Sequence, residues 1–241
     1  HWPGTNRQAV VDNYVDPKAF LALNSVVENP PVKWAMVTDV SQHQGNIDFI
    51  RMMNRGVLGA YIRGSIGGAG LDTRFETNWQ AIKQTKLKRG MYHLFRSDST
   101  AQKQMDNILA VQDKYGVGDW RVAIDVEPVT GLPRINGNVV YNLLALCRKK
   151  LGYEPLVYSG LWIWPYVDGT RSWFATSPLW LASYWTNPPQ TGQYPQIPDG
   201  NTIDNLLMHQ WTSSHFGGAG FGVSSSGIDV NVVYELEKLR P

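Results

Sequence analysis

The sequence predicts an α/β fold, an incomplete (β/α) barrel, and three observations lead to that prediction. Short apolar segments alternate with amphipathic segments over most of the 241 residues, which is typical of repeated βα units around a parallel sheet. Residues 122–127 alternate between an apolar face and a face of small and acidic side chains, which suits a strand buried on both sides. After residue 174 the helical pattern fades while strand-like segments continue.

The predicted elements follow in chain order. Strands are expected near residues 34–39, 59–63, 90–95, 122–127, 155–159, 179–184, 206–211 and 227–230. Helices are expected at residues 47–55, 74–85, 101–115, 137–151 and in part of 160–174. Loops rich in Pro, Gly, Asn and Ser, at residues 186–202 and 212–227, join the last three strands. Eight strands with about five helices describe an incomplete barrel.

The N-terminal segment falls outside this alternation. Asp16 followed by Pro17 is typical of a helix N-cap and first helical position, and the Pro-Pro pair at residues 30–31 separates that short helix from the first strand. We therefore predict an N-terminal extension at residues 1–33, packed on the barrel, and a barrel domain at residues 34–241.

Composition argues against several classes of function. The net charge of +2 gives no concentrated basic patch for nucleic acid, and no apolar run is long enough to cross a membrane. The single cysteine, Cys147, provides no disulfide framework. No signal peptide is visible, and the chain begins with His1, so the N-terminus does not indicate a compartment. We expect a globular protein without nucleic-acid or membrane partners, with a monomer as the default.

Aromatic residues are unusually numerous. The chain has ten Trp and eleven Tyr, and they are densest between Tyr153 and Trp211. Flat rings with a polar edge stack on sugar faces, and large rings also fill the core of a barrel. Both uses are expected here, for different residues.

Two carboxylates end the fourth predicted strand. Asp125 and Glu127 are two residues apart, so they share one face of that strand. Two such groups cannot both ionise at low cost, and the pKa of at least one should rise. A carboxyl group that stays protonated near neutral pH can serve as the acid in glycoside cleavage. An ion pair, a pair of metal ligands or a solvated strand end would also explain the two residues alone.

Two further acids fall at strand ends. Asp39 ends the first predicted strand and Asp229 lies in the last, so the two should be neighbours if the barrel closes. No Lys or Arg is evident near this predicted cluster, which favours sharing of protons over simple salt bridges.

Seven motifs resemble those of a known family. In chain order they are Asp39-x-Ser-x-x-Gln-Gly-x-Ile-Asp, Tyr92-His-Leu-Phe, Ile124-Asp-Val-Glu, Val157-Tyr-Ser, Leu179-Trp-Leu-Ala-Ser-Tyr, His209-Gln-Trp-Thr-Ser and Gly227-Ile-Asp-Val-Asn. With these motifs, spread from about residue 34 to residue 235, the chain resembles the lysozymes of glycoside hydrolase family 25, the muramidases of bacteriophage endolysins, bacteria and some fungi. The N-terminal extension is a departure from the family core, and the wall-binding repeats of many relatives are not visible.

The resemblance implies a flattened TIM-like barrel of the order (β/α)5(β)3 with no cofactor or metal. It implies hydrolysis of the β-1,4 bond from N-acetylmuramic acid to N-acetylglucosamine in bacterial peptidoglycan. Its place of action would be the bacterial cell wall, for a secreted or a phage-encoded protein (endolysin or virion-associated).

The resemblance also implies roles for the two carboxylates. Glu127 matches the general acid, and Asp125 matches its partner, which would orient the substrate's own N-acetyl group for attack with retention of configuration. Direct activation of water, with inversion, is the second possibility. The first is favoured because the two side chains start only about 7 Å apart, which leaves little room for an inverting water.

Supporting residues are expected around this pair. Asp39 and Asp229 match the remaining family acids, as ligands of substrate hydroxyls or as groups that fix the protonation of the pair, and capping of backbone amides is the alternative. Tyr92 could hold the N-acetyl carbonyl or the Asp125 carboxylate, or be a core phenol. Weaker candidates at strand ends are Tyr158, Tyr184 and Gln210, and the candidate sugar platforms are Trp185 and Trp211. Two other tryptophans, Trp34 and Trp180, are expected in the core.

Other functions stay open at the level of sequence. A metal hydrolase could use four carboxylates, but only His43 and His93 lie near the predicted mouth and no His-x-x-x-His or Cys/His spacing is present. A serine hydrolase lacks its Gly-x-Ser-x-Gly motif. A chitinase-like enzyme would carry more acids before the catalytic Glu, where this chain has Ala123. A non-catalytic sugar-binding barrel would keep the aromatic residues and lose the acid.

Overall fold

A barrel of eight strands lies at the centre of the structure. The computed structural model describes residues 35–190, 192–197, 202–213 and 217–241. Its strands are β1 (Ala35–Val40), β2 (Gly59–Ile66), β3 (Gly70–Leu71), β4 (Lys88–Leu94), β5 (Ala123–Asp125), β6 (Ile135–Asn136), β7 (Leu156–Gly160), β8 (Val167–Asp168), β9 (Leu179–Ala182), β10 (Leu206–Thr212) and β11 (Asp229–Val233). The two-residue strands β3, β6 and β8 lie outside the barrel wall.

The barrel wall closes in the order β1-β2-β4-β5-β7-β9-β10-β11, and β11 returns to β1. Neighbouring strands from β1 to β10 are parallel, whereas β11 is antiparallel to both β10 and β1. The antiparallel direction places the start of β11 beside the ends of the other strands, and Asp229 pairs with Asp39. The predicted neighbourhood of Asp39 and Asp229 is therefore confirmed, although the expectation of a parallel sheet is wrong for the last strand.

Five α-helices occur in the described residues, as the fold class predicts. They are α1 (Phe49–Asn54), α2 (Phe75–Ile82), α3 (Ala101–Tyr115), α4 (Gly137–Leu151) and α5 (Ser172–Thr176). Side chains cap three of their N-termini: Asp48 accepts from the Arg51 amide, Thr100 from the Lys103 amide, and Asn136 from the first amides of α4. The predicted starts at residues 101 and 137 are correct, and the first helix begins at Phe49 instead of residue 47 because Asp48 is its cap.

The helical segment expected within residues 160–174 is broken into smaller pieces. Leu161–Tyr166 forms a 3-10 helix, a two-residue strand follows, and only Ser172–Thr176 is α-helical. Pro165 lies inside the 3-10 helix and cannot donate the backbone hydrogen bond that a continuing α-helix needs. Because of this break, a 3-10 helix, a short strand and a short α-helix follow β7 instead of one continuous helix.

Two layers of buried side chains follow from strand alternation. Outward-facing residues such as Met36, Ile62 and Ile124 pack against the helices, while Val37, Tyr61 and Ala123 fill the barrel interior. The expected inward and outward faces of β5 are thus confirmed.

Two predictions from the sequence fall outside the described residues: the N-terminal extension at residues 1–33 and the core position of Trp34. In the described residues, no helix combines the length and apolar character needed to span a membrane. The strand expected at residues 227–230 begins two residues later, at Asp229, and continues to Val233, and the Ser225 hydroxyl donates to the Gly227 carbonyl just before it.

Candidate active site

A cavity of about 320 Å³ opens at the barrel end where the parallel strands finish. Each of the eight barrel strands contributes a lining residue: Asp39, Arg63, Tyr92, Asp125, Tyr158, Trp180, Gln210 and Asp229. The remaining lining residues lie in the segments that follow the strands: Ser41, His43, Gln44, Glu127, Tyr184 and Ser213. Carboxyl ends of barrel strands converge in this way in other (β/α) barrels, where sites form.

Asp39 is the centre of a hydrogen-bond network at one side of the cavity. Its Oδ2 accepts from Asn231 Nδ2 at 2.7 Å and from Gln210 Nε2 at 3.0 Å. The amide orientations are fixed because Asn231 Oδ1 accepts from Trp180 Nε1 at 2.7 Å and Gln210 Oε1 accepts from Tyr158 Oη at 2.8 Å. Burial raises the pKa of Asp39 to about 6, and the Asn231 and Gln210 hydrogen bonds oppose that rise. Asp39 is therefore mainly ionised at pH 7.

Asp125 is a second buried carboxyl group of the cavity. Burial first, and then the charges of Glu127 and Asp39, raise its pKa well above the usual range, while Arg63 opposes the rise. Its Oδ1 is buried and has no hydrogen-bond partner among the described residues. A buried oxygen without a partner carries an energetic cost that a bound ligand can remove.

Glu127 lies two residues beyond the end of β5 and is half-buried at the cavity wall. Burial raises the pKa of Glu127, and the negative charge of Asp39 raises it further, against the opposing charge of Arg63. The expected rise in pKa is thus present for both members of the pair. A carboxyl group that holds its proton near neutral pH and faces a cavity can act as a general acid.

Arg63 corrects the expectation that no cation lies near the acids. Its side chain lines the cavity, and its Nε donates to Asp72 Oδ2 at 2.8 Å, with Asp72 fully buried. The register of β2 against β4 shifts between Arg63 and Ser65, so an irregularity at Gly64 separates them. Sequence reasoning missed Arg63 because mainly acids and aromatic residues were considered at the strand ends, although the predicted strand ended at residue 63 and alternation with Tyr61 placed Arg63 on the interior face.

The longest of the seven motifs, residues 39–48, covers the end of β1 and the segment that follows it. Ser41 and Gln44 form a capping box around the 3-10 helix Gln42–Gln44, and Gly45 follows with a φ of 68° that favours glycine. The backbone amide of Gln42 donates to Asp72 Oδ2, the same oxygen that Arg63 contacts. Much of this motif therefore shapes the cavity rim, and Asp39 is its acidic lining residue.

Aromatic rings form the floor of the site. Trp180 lies inside the barrel at centroid distances of 5.0 Å from Tyr61, 4.9 Å from Tyr158 and 6.5 Å from Tyr92. Trp180 is buried as expected, but it also lines the cavity and holds Asn231 in place. Burial raises the pKa of Tyr92 well above its usual range, so its phenol stays neutral and can donate a hydrogen bond.

Eight of the ten predicted site residues line the cavity, and the two tryptophans proposed as sugar platforms do not. Trp211 is only 4% exposed and packs in the layer between barrel and helices, which corrects its expected role. Its neighbour Gln210 faces inward, so Trp211 must face outward on the same strand. Trp185 is half-buried with its ring edge against His209, at 4.9 Å between centroids.

The acid cluster does not have the geometry of a metal site. Within the part of the chain that the structure describes, no three His, Cys, Asp or Glu side chains are grouped so that they could hold a metal ion. The charges of the cluster are instead balanced by protons, by amide donors and by Arg63.

By its fold and site, the chain is a barrel protein with a pair of carboxyl groups at the barrel mouth. Comparison with sequence models of known families identifies its family. The family model for glycosyl hydrolases family 25 matches residues 38–217. The chain belongs to glycosyl hydrolase family 25, which confirms the predicted resemblance.

The chain is also similar to individual proteins and solved structures. The chain is 31% identical over 178 residues to the uncharacterized protein YegX of Escherichia coli (strain K12), a match that covers 70% of this chain but only 64% of that protein. It is 27% identical over 195 residues to the N,O-diacetylmuramidase of Arthroderma benhamiae, covering 75% and 78% of the two chains. The solved bacterial lysozyme from Streptomyces coelicolor superposes with a TM-score of 0.67 at 22% identity, covering 85% and 94%, and this likeness concerns the fold.

Proposed function

We propose that this chain hydrolyses the β-1,4 bond from N-acetylmuramic acid to N-acetylglucosamine in bacterial peptidoglycan, and so acts on the bacterial cell wall. Membership of family 25 and the similarity to a protein named N,O-diacetylmuramidase support this proposal. The observation that carries it is the carboxyl pair Asp125 and Glu127, both with raised pKa, in one cavity at the barrel mouth. Glycosidases use such a pair on either side of the cleaved bond.

Glu127 is the proton donor in this proposal. Its proton passes to the glycosidic oxygen as the bond from that oxygen to the anomeric carbon breaks, and the N-acetylglucosamine end leaves with a free hydroxyl. The carboxylate of Glu127 then removes a proton from the water that attacks the anomeric carbon. The same residue thereby serves as acid and then as base.

Asp125 positions the substrate's N-acetyl group. The unpartnered Oδ1 of Asp125 is a suitable acceptor for the acetamide N–H, and that hydrogen bond favours the ionised form of Asp125. The carbonyl oxygen of the acetamide bonds to the anomeric carbon as the glycosidic bond breaks. The attacking water then displaces this oxygen and restores the acetamide, so the configuration is retained. Because the charges of Asp125 and Glu127 repel each other, an ionised Asp125 also strengthens the hold of Glu127 on its proton.

The substrate therefore selects where the proton of the pair resides. In the empty cavity burial favours the protonated form of Asp125, which is the more buried of the two. When the acetamide N–H binds Asp125, the proton is favoured on Glu127, where the reaction needs it. Asp39, held by Asn231 and Gln210, raises the pKa of both Asp125 and Glu127 when it is ionised, and so helps to keep a proton on the pair.

The proposal is tested by digesting purified peptidoglycan and identifying the sugar at each new reducing end by reduction and mass analysis. We expect the parent to release reducing N-acetylmuramic acid. The variant Glu127→Gln should lose activity by roughly 10²-fold or more, because the amide cannot donate its proton to the leaving oxygen. Its thermal unfolding should match that of the parent, since Glu127 is a half-buried cavity residue.

Two outcomes would replace the proposal. Reducing N-acetylglucosamine would keep a glycosidase at this site but move the cleaved bond, as in a chitinase-like enzyme. The absence of new reducing ends on walls of several compositions would favour a sugar-binding barrel without catalysis.

A further inference from the structure

Two aromatic rings that contact each other at a tilt lie exposed beside the cavity. Trp162 is 37% exposed and Tyr184 is 47% exposed, and their ring centroids are 5.7 Å apart at an interplanar angle of 31°. Tyr184 lines the cavity, and Trp162, which is not among the lining residues, contacts the Tyr184 ring. Large rings left in water at the edge of a polar cavity are more typical of a binding surface than of a core.

The backbone after β7 places Trp162 on the mouth side of the barrel. Tyr158 lines the cavity, and Gly160, two residues further along the same strand, faces the same way. A Cβ at Gly160 would overlap the six-membered part of the Trp162 indole. The absence of a side chain at this position therefore allows the indole to lie against the strand end.

Tyr184 is tied to the acid cluster by its hydroxyl group. Its Oη donates to Gln210 Oε1 at 3.1 Å, and the amide nitrogen of Gln210 donates to Asp39 at 3.0 Å. The position of the ring pair relative to Asp39 is consequently set by side-chain contacts within the site. Ordered rings at a fixed distance from the reacting groups can bind a sugar next to the cleaved bond at low entropic cost.

We propose that Trp162 and Tyr184 form a carbohydrate-stacking subsite that binds a sugar of the glycan strand adjacent to those at the cleaved bond. This inference rests on the proposed function, because it takes the glycan strand as the ligand. It also replaces Trp185 and Trp211, the platforms expected from sequence, with a tryptophan whose ring is accessible beside the cavity.

The subsite is tested by calorimetric titration of soluble, peptide-free peptidoglycan strands into the Glu127→Gln variant, which binds without turnover. Adding Trp162→Ala should raise Kd by roughly 5-fold, and adding Trp162→Phe should restore most of the affinity. Gly160→Ala should weaken binding in the same direction, because its methyl group displaces the indole. In the active parent, Trp162→Ala should raise KM with kcat within about twofold, since the residue does not touch the reacting groups.

The matched control is Tyr166→Ala, which removes a ring that is 48% exposed in the same 3-10 helix but is not paired with the cavity residue Tyr184. It should leave Kd and KM unchanged. Parental Kd for the Trp162→Ala variant, or a Kd raised equally by Tyr166→Ala, would overturn the subsite. A parent that releases no reducing ends would overturn the proposed function instead, and the titration would still decide whether Trp162 binds glycan.

Discussion

At the scale of single residues, the site depends on neighbouring carboxyl groups whose pKa values are all raised by burial but are opposed by different partners. The hydrogen bonds from Asn231 and Gln210 limit the rise in the pKa of Asp39, which stops at about 6. Above that pH its charge raises the pKa of Glu127. Asp39 therefore adds to the effect of burial in extending the pH range over which Glu127, the proposed proton donor, keeps its proton.

Replacing Asp39 with Asn should lower the pKa of Glu127, because the repelling negative charge is removed. The alkaline limb of kcat/KM reports loss of the proton from the free enzyme's acid, so this limb should move to lower pH. The measurement is the rate of reducing-end release between about pH 4 and pH 9. Asp229→Asn is the matched control, since Asp229 lines the same cavity but is not among the charges that raise the pKa of Glu127, and it should move the limb less. An unmoved limb in Asp39→Asn would contradict the role given to Asp39.

Strand alternation decides which site residues the sequence can predict. Asp39, Tyr92 and Asp125 were found because acids and a phenol at the ends of apolar strands are conspicuous. Arg63 was missed although it ends the predicted strand at residues 59–63, because its salt-bridge partner, Asp72, lies nine residues away in a loop that the sequence did not place at the mouth. Trp211 was misplaced although its neighbour Gln210 had been assigned to the same site, and adjacent strand residues cannot share a face.

At the scale of elements, the Arg63–Asp72 pair connects three pieces of the mouth. Asp72 accepts from the β2 side chain of Arg63, from the Gln42 amide after β1, and from the Arg74 amide before α2. The ion pair is buried, with Asp72 fully enclosed. Breaking one member of such a pair leaves an uncompensated charge in the interior.

The Arg63→Gln variant should lose about 3–5 kcal/mol in its free energy of unfolding, because Asp72 remains buried without its cation. Urea unfolding of parent and variant gives this difference. Arg63→Lys should lose less, since it keeps the charge, and the double variant Arg63→Gln/Asp72→Asn should recover part of the loss. An unfolding free energy for Arg63→Gln within ~1 kcal/mol of the parent would show that the pair is not a structural connection.

The sequence predicts the bounds of a helix correctly where an N-cap residue and a helical pattern of apolar residues occur together. Thr100 and Asn136 cap α3 and α4, whose bounds match the sequence prediction, and each helix buries one apolar face. The segment at residues 160–174 has no such agreement, because Pro165 interrupts a stretch of aromatic residues. The direction of β11 could not be read locally, since the strand's own residues suit either orientation and only the preceding loop reverses the chain.

At the scale of the whole molecule, β11 closes the barrel and brings Asp229 and Asn231 to the acid cluster. The interior beneath the cluster is filled by rings around Trp180, which also donates to Asn231. The same residues that close the barrel therefore hold the site together. Both the closure and the aromatic filling follow from strand alternation once eight strands are recognised.

Stability should depend on pH through His93, which links β4 to β2 and α3. It is fully buried between Ser65 and Gln104, and burial lowers its pKa to about 4. The unfolded chain takes up a proton near pH 6.5, whereas the folded protein does not until about pH 4. The contribution of His93 is therefore complete above pH 6.5 and is lost as pH falls toward 4, by about 3 kcal/mol.

This loss is measured as the difference in unfolding free energy between the parent and His93→Gln across that range. The difference is required because Asp39, Asp125 and Glu127 have raised pKa values and stabilise the fold as pH falls. A parent that does not lose stability relative to His93→Gln between pH 6.5 and pH 4 would contradict the neutral, buried state of His93.

The most direct test of the whole account is time-resolved NMR of the first sugar released from peptide-free peptidoglycan strands. Attack by the substrate's own acetamide group, positioned by Asp125 while Glu127 donates the proton, predicts that reducing N-acetylmuramic acid appears first as the β-anomer and that Glu127→Gln releases none. Initial release of the α-anomer would show that a carboxylate activates water directly, and release of no reducing sugar would contradict the assignment of this cavity as a glycan-cleaving site.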